Sequence, residues 1–126
     1  MILHADITDK ILRSFYNVYN KLGYGFLEKV YENSMIIECK KTDFRGVQQA
    51  SIKVYYDDED VGKYFADLLF ENKVIVELKA GKGEIIKEHE MQLSNYLKAT
   101  IYEVGLVLHF GEKPTFKRIA LTNDYK

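Results

Sequence analysis

Asp67, Glu77 and Lys79 are the residues of this 126-residue chain whose types and spacing suit chemistry. They stand within residues 62–79 (GKYFADLLFENKVIVELK), where the runs around them, Phe65-Ala66-Asp67-Leu68-Leu69-Phe70 and Val74-Ile75-Val76-Glu77-Leu78-Lys79, are otherwise apolar. Strands apolar on both faces are usually central and covered by helices. Charge placed there is costly unless it is paired or metal-bound. The stretch reads as two strands joined by a turn over residues 71–73. With that loop, Phe70 pairs with Val74 and Asp67 falls opposite Glu77, with Cβ atoms roughly 4.5–5.5 Å apart. Two carboxylates so placed repel each other. A hard divalent cation such as Mg²⁺, which keeps several of its waters, removes the repulsion. Lys79 shares a face with Glu77 and Ile75. Beside a metal-bound water it can orient the nucleophile or stabilise charge on a transferring phosphoryl group. The ordinary alternative for the three charges is a buried salt-bridge network or a set of solvated strand ends. A loop one residue longer or shorter would separate the two carboxylates onto different faces.

The elements that must position these groups follow from periodicity. Ile7, Ile11, Phe15, Val18 and Leu22 recur at helical spacing, with Asp6 or Thr8 as cap and Gly23 as stop. A second helix starts near Gly25, with Leu27, Val30, Tyr31, Ser34, Met35 and Ile37 on its apolar side. In it Glu28 and Tyr31 are three apart and point roughly the same way; on its own Glu28 reads as a first-turn acid favoured by the helix dipole. Residues 47–56 alternate as a half-exposed strand, and Asp57-Asp58-Glu59-Asp60 is a solvated hairpin turn without the spaced ligands of a calcium loop. A three-stranded meander results. Residues 84–99 form a helix with Ile85, Ile86, His89, Gln92, Leu93, Tyr96 and Leu97 facing inward. Gln92 and Tyr96, four apart, are adjacent on its face, and the glutamine suits a water or a substrate phosphate. Residues 104–110 are a buried strand and 116–121 a short last one. The order α-α-β-β-β-α-β-β implies an α/β fold: a mixed sheet flanked by helices, built as a single domain over residues 1–126.

Composition narrows the class. Apolar residues make up 47%, with 10 Tyr and 7 Phe, which excludes a disordered chain. Net charge is −1, from 18 basic and 19 acidic residues, so the chain lacks the broad basic footprint of a strong nonspecific nucleic-acid binder. The lone Cys39 excludes an internal disulfide and reads as a cytosolic thiol on a helix. No signal peptide or membrane span is expected, so the expected location is cytoplasmic. His4 and His89 lack the spacing of zinc ligands.

Three stretches together resemble one family. Gly25-Phe26-Leu27-Glu28-Lys29-Val30-Tyr31, then Asp67 with Glu77-Leu78-Lys79, then Gln92-Leu93-Ser94-Asn95-Tyr96 stand in order on suitable elements. In this the chain resembles the GxxExxY proteins, a branch of the PD-(D/E)XK nuclease superfamily, from about Ile7 to Leu121. The resemblance implies a restriction-endonuclease-like core and one or two Mg²⁺ ions, with Mn²⁺ as a substitute. It implies Asp67, Glu77 and the Leu78 carbonyl as ligands, with Glu28 as a further ligand or holder of a metal-bound water. Lys79 would position the attacking water, and Gln92 and Tyr96 would support the phosphate or the site. The implied reaction is phosphodiester hydrolysis of nucleic acid, DNA ahead of RNA. The chain departs from the pattern in three places. The proline of the signature is absent, Tyr19 stands where a histidine often ends the first helix, and Phe65 stands where an arginine often precedes the aspartate.

Two other functions compete. A non-catalytic module for nucleic-acid binding, protein binding or dimerisation on a nuclease-like scaffold agrees with the near-neutral charge. It also agrees with the small size, because gripping a duplex usually buries about 1,000–2,500 Å² of protein. A homodimer or a partner protein would supply the missing surface to a nuclease. A metal-dependent phosphatase of small substrates would need a closed pocket.

Overall fold

The computed structural model describes residues 2–126. Its elements follow the expected order: α1 (Ala5–Leu22), α2 (Glu28–Lys40), β1 (Gly46–Tyr56), β2 (Glu59–Phe70), β3 (Val74–Ala80), α3 (Lys87–Lys98), β4 (Val104–Phe110) and β5 (Pro114–Ala120), with a short 3-10 turn at Asn123–Tyr125. The five strands form one sheet in sequential order. β1, β2 and β3 are an antiparallel meander, β3 and β4 are parallel, and β5 returns antiparallel to β4. The parallel pair needs a crossover, and α3 is that crossover. This is the mixed α/β architecture of a restriction-endonuclease-like core.

Helices cover the two faces of the sheet. Ile7, Ile11, Phe15 and Val18 of α1 and Tyr31, Met35 and Cys39 of α2 pack with Leu68, Val76, Leu78, Leu106 and Phe110. Leu93 and Leu97 of α3 pack on the other face with Ala50, Ala66, Ile75 and Val107. β3 and β4 lie between the two clusters, which is why both read as continuous apolar runs. α3 sits close because Gly105 has no side chain: a Cβ there would come within 2.8 Å of Leu93 Cδ1.

Local details differ from the periodicity. Neither Asp6 nor Thr8 caps α1; His4 precedes it in a left-handed conformation, and the Thr8 hydroxyl donates to the Ala5 carbonyl at 3.2 Å. α2 begins at Glu28, three residues after Gly25, and is turned so that Tyr31, Glu32, Met35 and Cys39 are buried while Leu27, Val30 and Ile37 are exposed. Tyr31 sets that rotation. Its ring stacks on Phe110 at 4.0 Å, and its hydroxyl donates to the Gly23 carbonyl (2.6 Å) and accepts from the Phe26 N–H (3.2 Å), tying down the α1–α2 connection. α3 begins at Lys87, because Gly81 and Gly83 at positive φ and the extended Ile86 delay it. Tyr19 donates to the Gly111 and Glu112 carbonyls at 2.8 and 2.9 Å, fastening α1 to the β4–β5 turn. Cys39 is buried against Ser14, and burial raises its thiol above the ordinary range, so it is an inert core thiol. Among the described residues, no helix is long and apolar enough to cross a membrane.

Candidate active site

The turn between β2 and β3 sets the geometry of the site. Glu71 and Asn72 adopt left-handed φ values of 52° each, and the Lys73 N–H returns to the Phe70 carbonyl at 2.9 Å. That tight turn pairs Phe70 with Val74, Leu69 with Ile75 and Leu68 with Val76. The ladder stops there. One step further along the same register lie Asp67 and Glu77, where the strands separate. The fork would leave the Leu78 amide of β3 without a main-chain partner, and Asp67 Oδ2 accepts from it at 2.8 Å. A buried N–H must find an acceptor, so the same bond that completes β3 also orients the aspartate.

Around this fork lies an open cleft of about 330 Å³. It is lined by Glu28, Tyr64, Phe65, Asp67, Glu77, Leu78, Lys79, Gln92 and Tyr96. Every site residue singled out in the sequence is therefore in one place, brought there from α2, β2, β3 and α3. Glu28, the first residue of α2, accepts from the Ala80 N–H at 3.2 Å and so joins that helix to the end of β3. The Gln92 amide donates to the Tyr96 hydroxyl at 3.3 Å. Tyr96 stacks on Tyr64 with ring centroids 3.6 Å apart and planes 5° from parallel.

Electrostatics distinguish Glu77. Its Oε1 is buried and has no hydrogen-bond partner. Burial, and after it the Asp67 carboxylate, push the Glu77 carboxyl up to about 8, while Lys79 draws it partly back. The Tyr64 hydroxyl is likewise buried without a partner, and burial, then Glu77, raise it far above the ordinary range. The expected alternative of a salt-bridge network is absent: among the described residues the ion pairs within 4.0 Å are Lys29–Glu32 and Lys41–Glu38, on α2 and just beyond it. The cleft thus holds three carboxyl groups and a single ammonium group, Lys79. Among the described residues, no group of three or more His, Cys, Asp or Glu side chains converges as a metal site. Glu28 lines the cleft without closing up with Asp67 and Glu77 into such a cluster.

A donor set of two carboxylates still fits Mg²⁺, which binds through one or two carboxylates and retains water in its remaining positions. A cation bound by these carboxylates would give the orphaned Glu77 oxygen a partner and offset the Asp67–Glu77 repulsion. Of the residues lining the cleft, Asp67 and Glu77 could hold such an ion, with Leu78 beside them.

Tyr64 was not found from the sequence, and Phe65 was noted there only as a departure from the family pattern. Phe65 is 54% exposed at the cleft wall. The signal for Tyr64 was its pairing with an α3 aromatic, which no local pattern encodes.

Comparison with known proteins places the chain in a superfamily. A profile of the PD-(D/E)XK nuclease superfamily matches residues 5–119. The chain belongs to that superfamily. Among solved structures, the crystal structure of SSO0001 is similar with a TM-score of 0.53 and 14% identity, over 92% of this chain and 66% of that one. At that identity the likeness shows a shared fold. The present chain thus spans just under two thirds of the length of SSO0001. No curated protein matches the sequence significantly.

Proposed function

We propose that this member of the PD-(D/E)XK superfamily is a Mg²⁺-dependent nuclease that hydrolyses phosphodiester bonds of nucleic acid, DNA ahead of RNA. The observation that carries the reading is the Asp67–Glu77 pair at the β2/β3 fork, with its buried, unpartnered Glu77 oxygen and Lys79 free of any ion pair within 4.0 Å among the described residues. A cleft with three carboxyl groups and one ammonium group repels a phosphodiester unless a cation intervenes. Bound Mg²⁺ would offset that charge and make a coordinated water more acidic. Asp67 is held by the Leu78 amide, so its carboxylate is oriented before any ligand arrives. Lys79, two residues beyond Glu77 on β3 and lining the same cleft, would offer its ammonium to a water or to the developing phosphoryl charge. Gln92, paired with Tyr96, offers an amide to a phosphate oxygen. Glu28 acts through a water from the end of α2. In this reading Gly25, Glu28 and Tyr31 are the GxxExxY motif, with the Tyr31 hydroxyl, bonded to the Gly23 carbonyl and the Phe26 N–H, holding the loop that presents Glu28. The reading takes the chain as one nuclease domain, with a homodimer or partner protein adding surface for a duplex.

A second reading is favoured by a specific observation. Because Glu28 does not complete a three-acid cluster among the described residues, the scaffold also suits a non-catalytic nucleic-acid or protein-binding module. Calorimetric titration of Mn²⁺ and Mg²⁺ into wild type, Glu77→Ala and Lys79→Ala separates the two. Saturable binding that is lost in Glu77→Ala and kept in Lys79→Ala, followed by cleavage of a DNA panel, supports the nuclease. No binding, with or without added DNA, leaves the module.

A further inference from the structure

Glu32 is the acid most deeply buried among the described residues, 3% exposed, and the proposed reaction does not use it. Its Oε2 accepts from Lys29 Nζ (2.9 Å) and Gln48 Nε2 (2.8 Å), and its Oε1 accepts from Gln49 Nε2 (2.9 Å). The same Gln49 amide also donates to Asp67 Oδ1, at 3.5 Å.

Gln49 is conformationally unusual. It lies inside β1 with φ of 48°. A side chain with a Cβ in that region costs roughly 1–2 kcal/mol, and such a residue persists where its surroundings over-determine it. The pairs Gln48↔Leu68 and Ala50↔Ala66 on either side leave Gln49 facing Asp67 across the ladder. Both strands change face at this point. Leu68 packs with the α1/α2 cluster, yet Ala66, two residues away, packs with the α3 cluster. Gln48 reaches Glu32 and Asn33 on α2, yet Ala50 packs beneath α3. Strict alternation predicts one face for each of these pairs.

We propose that Glu32 and Gln49 form a positioning pair for Asp67. Glu32 anchors the Gln49 amide, and the left-handed kink brings that amide to Asp67 Oδ1. The carboxylate is then held between Gln49 on β1 and the Leu78 amide on β3, at the fork where main-chain pairing ends. The catalytic meaning of the pair rests on the reading of Asp67 given above. Its structural claim does not.

The test is the Leu78 amide followed by NMR in the metal-free protein, with Mn²⁺ affinity measured in parallel. Gln49→Gly removes the bridging amide but accepts the backbone conformation, so the fold is retained. Gln48→Ala removes a comparable hydrogen bond to Glu32 without touching Asp67. In Gln49→Gly, Leu78 amide exchange should accelerate and Mn²⁺ binding weaken, each by about tenfold, the size expected when a hydrogen bond to a charged group is loosened. Gln48→Ala should leave both unchanged. The proposal is overturned if Leu78 exchange in Gln49→Gly stays at the wild-type rate, or if Gln48→Ala produces the same change. Faster Leu78 exchange in a protein whose wild type binds no Mn²⁺ supports the positioning pair and counts against the nuclease instead.

Discussion

Divalent-cation binding should depend steeply on pH, because Glu77 must lose a proton to become a ligand. With burial and Asp67 pushing the carboxyl up to about 8, the group is mostly protonated at neutral pH in the metal-free protein. The apparent dissociation constant scales as one plus the ratio of protonated to ionised Glu77. For a value near 8 that factor is about 100 at pH 6, about 10 at pH 7 and about 2 at pH 8, so affinity should rise about tenfold from pH 6 to 7, about fivefold from pH 7 to 8, and then level off. An ordinary solvated glutamate, near 4.3, would be fully ionised throughout and give a flat profile. The assay is Mn²⁺ calorimetry between pH 6 and 8.5 in two buffers of different ionisation enthalpy. The difference in heat between buffers reads out the proton released. Near pH 7 nearly one proton should leave per ion bound, falling toward none above pH 8. An affinity constant across the range with no buffer-dependent heat would refute the reasoning, since Glu77 would then be ionised already or not a ligand.

Three further outcomes follow from the same structure. Glu77 has its folded value raised above the unfolded one, so its contribution to stability is present below about pH 4.5 and is lost as pH rises toward 8, by at most about 1.4 kcal/mol per pH unit; Glu77→Gln should therefore raise the metal-free melting temperature at pH 8, checked by calorimetry with chelator, while abolishing Mn²⁺ binding. Lys79→Ala should keep Mn²⁺ affinity and lower kcat for DNA cleavage by about 10²–10³, in line with loss of one transition-state donor, measured under single-turnover conditions. Gly105→Val should destabilise the fold by about 1–3 kcal/mol in chemical denaturation and lower cleavage further than stability accounts for, because the added side chain displaces Leu93 and with it Gln92 and Tyr96 on α3.

Much of the site was legible because its parts are local. The turn over residues 71–73 is short enough that its length alone sets the register of the hairpin, and the structure keeps that register from Phe70–Val74 to Leu68–Val76 but does not pair Asp67 with Glu77. The separation of the strands at that pair was not legible, since it depends on the Leu78 amide turning to the Asp67 carboxylate. The rotation of α2 was misread for a related reason. Leu27, Val30 and Ile37 are as apolar as Tyr31, Met35 and Cys39, and only the stack of Tyr31 on Phe110 and the seating of Glu32 against β1 choose between the two faces. Gln49 illustrates the limit of alternation: nothing in VQQASIKVYY marks a left-handed residue inside the strand.

The sequence by itself determined the order of the elements and the mixed sheet they form, while the residues that meet in the cleft were gathered into one set only by the family resemblance. Hydrophobic period, glycine punctuation and turn length are properties of neighbouring residues, and they survive in any environment. Only the tertiary structure decided how the charged groups are paired. It left Glu77 with a buried free oxygen, kept Glu28 on the Ala80 amide, and tied Asp67 to Glu32 through Gln49. The state of a buried charge is set by what other segments bring against it, because the cost of burying it is recovered only through partners that lie far away in the chain.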